Sequence, residues 1–225
     1  MGSTALFDPM AATWDRYYTS DGRMLNRIGR FCEALEARAQ PGEQILDFGC
    51  GTGQISRELA SHGWHITGAD VSGGMLQQAK ALAVENCRWV QLDNAPGSPL
   101  PFDDGSFSAA VASSVLEYVA DPKATLQELA RVVRAGGWLV ITVPDLRHRK
   151  RKVDRWKRPL TCITPVRKML LQTRLRNAVS RTYASRNHWR LDRWQDAIGA
   201  AGLVPQPIAP CVDPLAMLIA QKATA

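Results

Sequence analysis

The chain has 225 residues and a mass of 24.8 kDa, with 45% hydrophobic and 22% charged residues; it is long enough to bury a sizeable core, and disorder or coiled coil is excluded as a description of the whole. No apolar run approaches the roughly 18 residues of a membrane span. MGSTALFDPMAATWD at the N-terminus lacks the basic and apolar regions of a cleaved leader, and the five scattered cysteines form no CxxC pair, so a reducing, cytoplasmic setting is expected.

The net charge of +7 is uneven: residues 1–144 carry 11 Lys/Arg against 16 Asp/Glu, residues 145–193 carry 16 against 3, and residues 194–225 carry 1 against 2. A mildly acidic body thus holds one strongly basic stretch, which suggests an anionic partner: nucleic acid, a membrane surface or an acidic substrate.

Along the chain, residues 13–38 read as helix with a break at Ser20-Asp21-Gly22, and Pro41-Gly42 ends it. Residues 44–48 are a short strand cut by a glycine cluster. Residues 54–62 are helical up to Gly63, residues 64–70 a strand, 74–83 a helix and 87–92 a strand. Residues 107–115, small and apolar throughout, suit a buried strand. A helix is expected over 121–134, started by Asp121-Pro122 and stopped by Gly136-Gly137, and a strand over 138–143. Beyond 145 the rhythm breaks: a charge run over 147–158, prolines at 159 and 165, then helices over 166–181 and 191–201. Residues 203–208 and 215–221 read as two closing strands. Gly63, Gly68 and Gly105 are taken as turn glycines.

Alternating strands and helices predict an open, mostly parallel, doubly wound α/β sheet with helices on both faces. Ligands of such sheets lie outside the carboxyl ends of the strands, where Asp47 to Gly53, Asp70, Asp93 and Ser113-Ser114 collect. Ile45-Leu46-Asp47-Phe48-Gly49-Cys50-Gly51-Thr52-Gly53 is a strand running into a glycine turn that opens a helix. A dinucleotide site is the main competitor, but the spacing is GxGxG, and Asp47 at the mouth of the loop repels phosphate and suits a cation. Asp70 is placed to accept from ribose hydroxyls, and Asp93 to meet an adenine amino group. Ribose, adenine and positive charge without phosphate describe S-adenosylmethionine.

Four motifs in order, ILDFGCGTG (45–53), GADVSGGML (68–76), LDNAPGSPLPFDDGSFSAAVASSVLEYVADP (92–122) and RAGGWLVITVP (134–144), make residues 45–143 resemble a class I, Rossmann-like S-adenosylmethionine-dependent methyltransferase of the small-molecule and lipid branch. The resemblance implies a seven-stranded sheet whose last strand is antiparallel; the chain departs from the family pattern over residues 145–193, a basic insert expected after the fifth strand. It implies that Asp47, Gly49, Cys50, Gly51 and Gly53 cradle the methionine part, and that Asp70 meets the ribose, with Val71 and Met75 beside the adenosine. Asp93 and Asn94 would face the adenine, and Ser113 the sulfonium end. The product would be S-adenosylhomocysteine. One domain, 1–225, is expected: an N-terminal helical lid (1–40), a cofactor-binding core (41–144), a basic insert and substrate lid (145–193), and a closing helix and strands (194–225). Cys50 reads as loop filler, since this chemistry needs no enzyme nucleophile.

A general base is needed only for an acceptor that arrives protonated; the candidates are His188, Glu117 and Tyr18, with His148 and Tyr17 behind them. A structural hydrogen bond is the plainer role for His188, and for Glu117 a solvated helix start weighs as much as a substrate contact. The insert has three readings: a basic segment over 147–181 that meets an anionic membrane surface, placing the protein at its periphery; a nucleic-acid surface pairing arginines with Trp156, Trp189 and Trp194; or a lid over an anionic small molecule. The first and third together are preferred. A methyltransferase acting on O, N or C of a small or lipid-like, anionic acceptor is therefore expected. An RNA methyltransferase and a non-catalytic cofactor-binding subunit are the alternatives.

Overall fold

The computed structural model describes residues 7–19, 22–93, 95, 97–148, 184–209 and 214–224, with residues 16–19 and 23 described by their backbone alone. Seven strands form one sheet: β1 (Gln44–Phe48), β2 (His65–Asp70), β3 (Cys87–Gln91), β4 (Phe107–Ser113), β5 (Val133–Pro144), β6 (Leu203–Pro205) and β7 (Leu215–Lys222). Their order is β3-β2-β1-β4-β5-β7-β6. β1 to β5 pair in parallel, whereas β7 runs antiparallel to both β5 and β6. The expected sheet, including its antiparallel late strand, is thus present. The insert itself, with the helix expected over 166–181, lies outside the described residues.

The helices are α1 (Ala11–Thr19), preceded by a 3₁₀ turn (Asp8–Met10), α2 (Arg23–Glu36), α3 (Gln54–Ser61), α4 (Gly73–Ala81), α5 (Pro122–Val132) and α6 (Leu191–Ala200). Gly22, at φ +67°, is the break expected between α1 and α2. On α2, Met24, Ile28, Phe31, Cys32 and Leu35 recur at helical spacing and face the sheet.

Period-two alternation along each strand sorts side chains to two faces. Ile45, Ile66, Ala109, Val111 and Val140 pack with Phe31 and Leu35 of α2 and Ile55 and Leu59 of α3. Leu46, Phe48, Ala110, Ala112, Leu139 and Ile141 pack with Leu126 and Leu129 of α5 and Trp194 and Ile198 of α6. Each face is therefore covered, as parallel sheets require.

Two boundaries differ from expectation by more than two residues, the start of β5 and the end of β6. α5 ends at Val132 and the chain passes directly into β5, so Gly136-Gly137 lie within a strand and do not stop the helix. The reason is a register shift between Phe107 and Ala109 on β4, where the backbones come so close that a Cβ on Gly137 would lie 2.5 Å from the Ser108 carbonyl oxygen. β6 stops at Pro205 and not at Ile208: Gln206 N–H still donates to the Ile219 carbonyl at 2.8 Å, but Pro207 has no N–H with which to continue the ladder.

The order reverses at β1, with β2 on one side and β4 on the other, so a crevice opens between the carboxyl ends of β1 and β4.

Candidate functional site

β1 leaves the sheet through Gly49-Cys50-Gly51-Thr52-Gly53 and re-enters order as α3. The three glycines are left-handed, at φ +70°, +57° and +77°. The N–H groups of Gly49 and Cys50 donate to the Ala69 carbonyl at 2.7 and 3.2 Å, tying the loop to the end of β2. A Cβ on Gly49 would lie 2.3 Å from Val115 Cγ2, and one on Gly53 would lie 2.3 Å from Trp89 Cη2. Gly51 is different: Trp14 Nε1, at 3.9 Å, is the nearest group to a Cβ built there. Two glycines thus let the protein pack closely on itself, and Gly51 leaves room for something else. Gly68 lies inside β2, not in a turn; Trp89 of β3 covers it, with Cζ3 2.4 Å from where a Cβ would sit.

The carboxylates take separate positions. Asp70 ends β2, where its Oδ2 accepts from Gly51 N–H and its Oδ1 from Ser72 N–H, each at 2.8 Å. Burial pushes its carboxyl above the usual range, and backbone N–H groups of Ser72, Gly51 and Val71 hold it partly down. Asp47 is not at the mouth of the loop. It is 1% exposed, and its Oδ2 accepts from Ser56 Oγ on α3 at 2.5 Å. Burial pushes its carboxyl up to about 7, so the argument that its charge repels phosphate loses force. Asp93 is exposed and closes the turn after β3, accepting from Ala95 N–H and Ser98 Oγ at 3.1 Å each. Asn94 lies outside the described residues. Burial raises the Cys50 thiol well above its usual range, as suits a filler.

At the carboxyl end of β4, Ser113 Oγ is buried with no hydrogen-bond partner among the described residues. Ser114 is left-handed at φ +55°, and its N–H donates to Thr142 Oγ1 at 3.1 Å. Met75 is 2% exposed at the start of α4, and Val71 is half-buried just before it.

Glu117 is not a solvated helix start: it is 2% exposed and accepts from Ser185 Oγ at 2.9 Å. His188 is half-buried, with Nε2 3.0 Å from the Ser185 carbonyl oxygen. The side chains of Tyr17 and Tyr18 lie outside the description.

The N-terminal segment rests on the loop. Asp15 Oδ1 accepts from Thr52 Oγ1 at 2.5 Å and Gln54 Nε2 at 2.6 Å. Asp8 accepts from Ser72 Oγ and from Gly74 N–H. Phe7 meets Trp14 and Tyr118 edge-on, at centroid distances of 5.9 and 5.4 Å. Sequence reasoning missed Asp8 and Trp89. No local pattern marks Asp8, whose partners follow it by more than 60 positions. Trp89 could have been found only through its register against Gly68.

Residues 46–141 match the family described as "Methyltransferase domain". The demethylmenaquinone methyltransferase of Clavibacter sepedonicus is 36% identical over 138 residues, covering 61% of this chain and 56% of that protein. The chain spans about half the length, or less, of the curated relatives it matches. Among solved structures, a chain of the Haloferax volcanii complex between the Trm112 methyltransferase activator and a methyltransferase superposes with a TM-score of 0.68 at 20% identity, over 99% of each chain. The [4+2]-cyclase SpnF gives 0.63 at 18% identity, over 87% of this chain and 82% of that one. At such identities the likeness is one of fold, and a fold can host several chemistries.

Proposed function

We propose, for a chain whose residues 46–141 match the methyltransferase domain family, a class I, S-adenosylmethionine-dependent methyltransferase acting on a small or lipid-like, anionic acceptor. The observation that carries the reading is the conjunction at the carboxyl ends of β1, β2 and β4: a left-handed Gly51 whose Cβ position meets only Trp14 Nε1, the buried Asp70 carboxyl bonded to its N–H, and a buried Ser113 hydroxyl without a partner among the described residues.

These residues fit S-adenosylmethionine. Asp70 would take the ribose hydroxyls, Gly51 leaves space for the methionine part, and Ser113, whose hydroxyl has no partner among the described residues, would lie at the sulfonium end. Asp47 serves from beneath, holding α3 to β1 through Ser56. Asp93, Asn94, Val71 and Met75 remain assigned to the adenosine end. When bound, the cofactor supplies an already activated methyl group. The protein's task is to hold the acceptor in line, at about 3–3.5 Å, and to exclude water. Trp14 and Asp15 lie against the loop, with Phe7 packed on Trp14, and serve the second purpose, which is the lid role of residues 1–40.

The name of the Clavibacter relative favours a quinone-like acceptor, and the surplus of 13 positive charges over residues 145–193 favours an anionic acceptor or an anionic membrane surface. No helix among the described residues is long and apolar enough to cross a membrane, and the membrane contact proposed is a peripheral one through the charges of residues 147–181. Where the acceptor is protonated, His188 is the proposed base, with Tyr18 behind it.

Calorimetry with S-adenosylhomocysteine, beside NADH, tests the site. Tighter binding of NADH would overturn it. Radiolabelled methyl transfer into lipid extract, small-molecule extract and total RNA then tests the acceptor class. Label in RNA alone would replace this reading with an RNA methyltransferase. Binding without transfer into any pool would favour a cofactor-binding subunit.

A further inference from the structure

Residues 185–188, just ahead of α6, form a strap held on the turn that follows β4. Ser185 Oγ donates to Glu117 Oε2 at 2.9 Å. The backbone N–H groups of Arg186 and Asn187 donate to the Glu117 carbonyl at 2.7 and 3.1 Å. Asn187 Nδ2 donates to the Leu116 carbonyl at 2.8 Å and the Val119 carbonyl at 2.9 Å. One amide group therefore bridges the turn from end to end, and three successive strap residues grip residues 116–119.

The clamped turn is continuous with the site. Tyr118 N–H donates to the Val115 carbonyl at 2.8 Å, and Val115 is the side chain against which Gly49 packs. Ser113 and Ser114 precede it directly. On the other side of the clamp stands His188, whose Nε2 lies 3.0 Å from the Ser185 carbonyl oxygen.

Glu117 and Ser185 are only 2% and 4% exposed. Burying an acidic side chain costs stability unless it is bonded, and an apolar residue would fill the same space at less cost. What the acidic group adds is direction: a hydrogen bond fixes one placement of the strap, where apolar packing would tolerate several.

We propose that Glu117 and Asn187 are positioning residues that lock the strap 185–188 to the turn 116–119, so that a cofactor seated against Gly51 and Ser113 orders the segment carrying His188. Glu117 acts here through Ser185 and not on the reacting atoms. The coupling rests on the cofactor reading above; the clamp itself does not.

Hydrogen-exchange mass spectrometry on the full chain tests it, with S-adenosylhomocysteine as the probe. In the unaltered protein the probe slows exchange in residues 49–53, 113–119 and 184–190. In Asn187→Ala and Glu117→Ala it still slows 49–53, while the protection of 184–190 falls by at least half. Glu117→Gln, whose amide oxygen still accepts from Ser185, retains that protection, which a generally loosened fold would not. Ser185→Ala, which keeps both main-chain bonds, serves if the stronger variants fail to fold, and gives an intermediate loss. Protection of 184–190 that is equal in all variants overturns the proposal. So does protection in the unaltered protein that is confined to 49–53. Protection nowhere in the unaltered protein overturns the cofactor reading, and the coupling with it. In that case the clamp is judged without ligand: it stands if residues 186 and 187 exchange at least tenfold faster in Asn187→Ala, and falls if their exchange is unchanged.

Discussion

Asp47 and Asp70 carry the same side chain on adjacent parallel strands, β1 and β2, yet their surroundings set them to different work. Asp70 ends its strand and turns both oxygens to the loop N–H groups of Gly51 and Ser72. Asp70→Ala removes these bonds together with the proposed ribose contact. It should weaken S-adenosylhomocysteine binding by about 1–3 kcal/mol in calorimetry; unchanged affinity in a folded variant would remove Asp70 from the site. Asp47 lies one residue inside its strand and meets Ser56. Its carboxyl titrates at about 7 in the folded chain against 3.8 for an ordinary one. The folded state therefore keeps a proton that the unfolded chain has lost. That stabilisation is complete below about pH 4 and fades as pH rises through 7. The melting temperature should fall from pH 5 to 7.5, and Asp47→Asn should flatten that slope. Some slope should remain, because the Asp70 carboxyl is also raised. A slope equal to that of the unaltered protein would show that Asp47 is ionised throughout.

Elements were legible where one local rule decides them. The α5 start is such a case: Asp121 Oδ1 accepts from Lys123 and Ala124 N–H at 2.9 and 3.1 Å, with Pro122 in the first turn. Asp121→Ala should cost about 1 kcal/mol in urea unfolding and leave cofactor affinity unchanged. The α5 end was not legible. Val132-Val133 suits either helix or strand by sequence, and pairing with β4 across the irregular register decides for strand. The glycine loop was legible as a loop, but which glycine serves what was not. Gly53→Ala would place a Cβ on Trp89 and hold alanine at φ +77°. It should destabilise by about 1–3 kcal/mol, more than Gly51→Ala, which shares the left-handed strain but meets only Trp14 Nε1, at an ordinary contact distance of 3.9 Å. Gly51→Ala should instead show its effect in cofactor affinity, and thermal melts beside calorimetry separate the two.

For the molecule as a whole, the cofactor motifs end where the basic stretch begins, so the two functions should be separable. Replacing Arg149, Lys150, Arg151 and Lys152 with neutral residues should leave S-adenosylhomocysteine affinity nearly unchanged. It should raise the acceptor KM and flatten the salt dependence of methyl transfer, since exposed charges are screened over about 10 Å at 0.1 M salt. Sedimentation with anionic and neutral liposomes shows whether the charge serves a lipid surface; equal binding to both would argue against it. The sequence by itself determined the order of strands and helices among the described residues, the carboxyl-edge location of the proposed site, and the uneven charge. Each of these follows from local periodicity, turn chemistry or simple composition. Only the tertiary structure decided that Asp47 lies beneath the loop, that Trp89 and Val115 require Gly53 and Gly49, that Asp8 and Asp15 fasten the N-terminal segment, and that Glu117 holds Ser185. These contacts join residues far apart in the chain, and strand register and the packing of helices on the sheet bring them together.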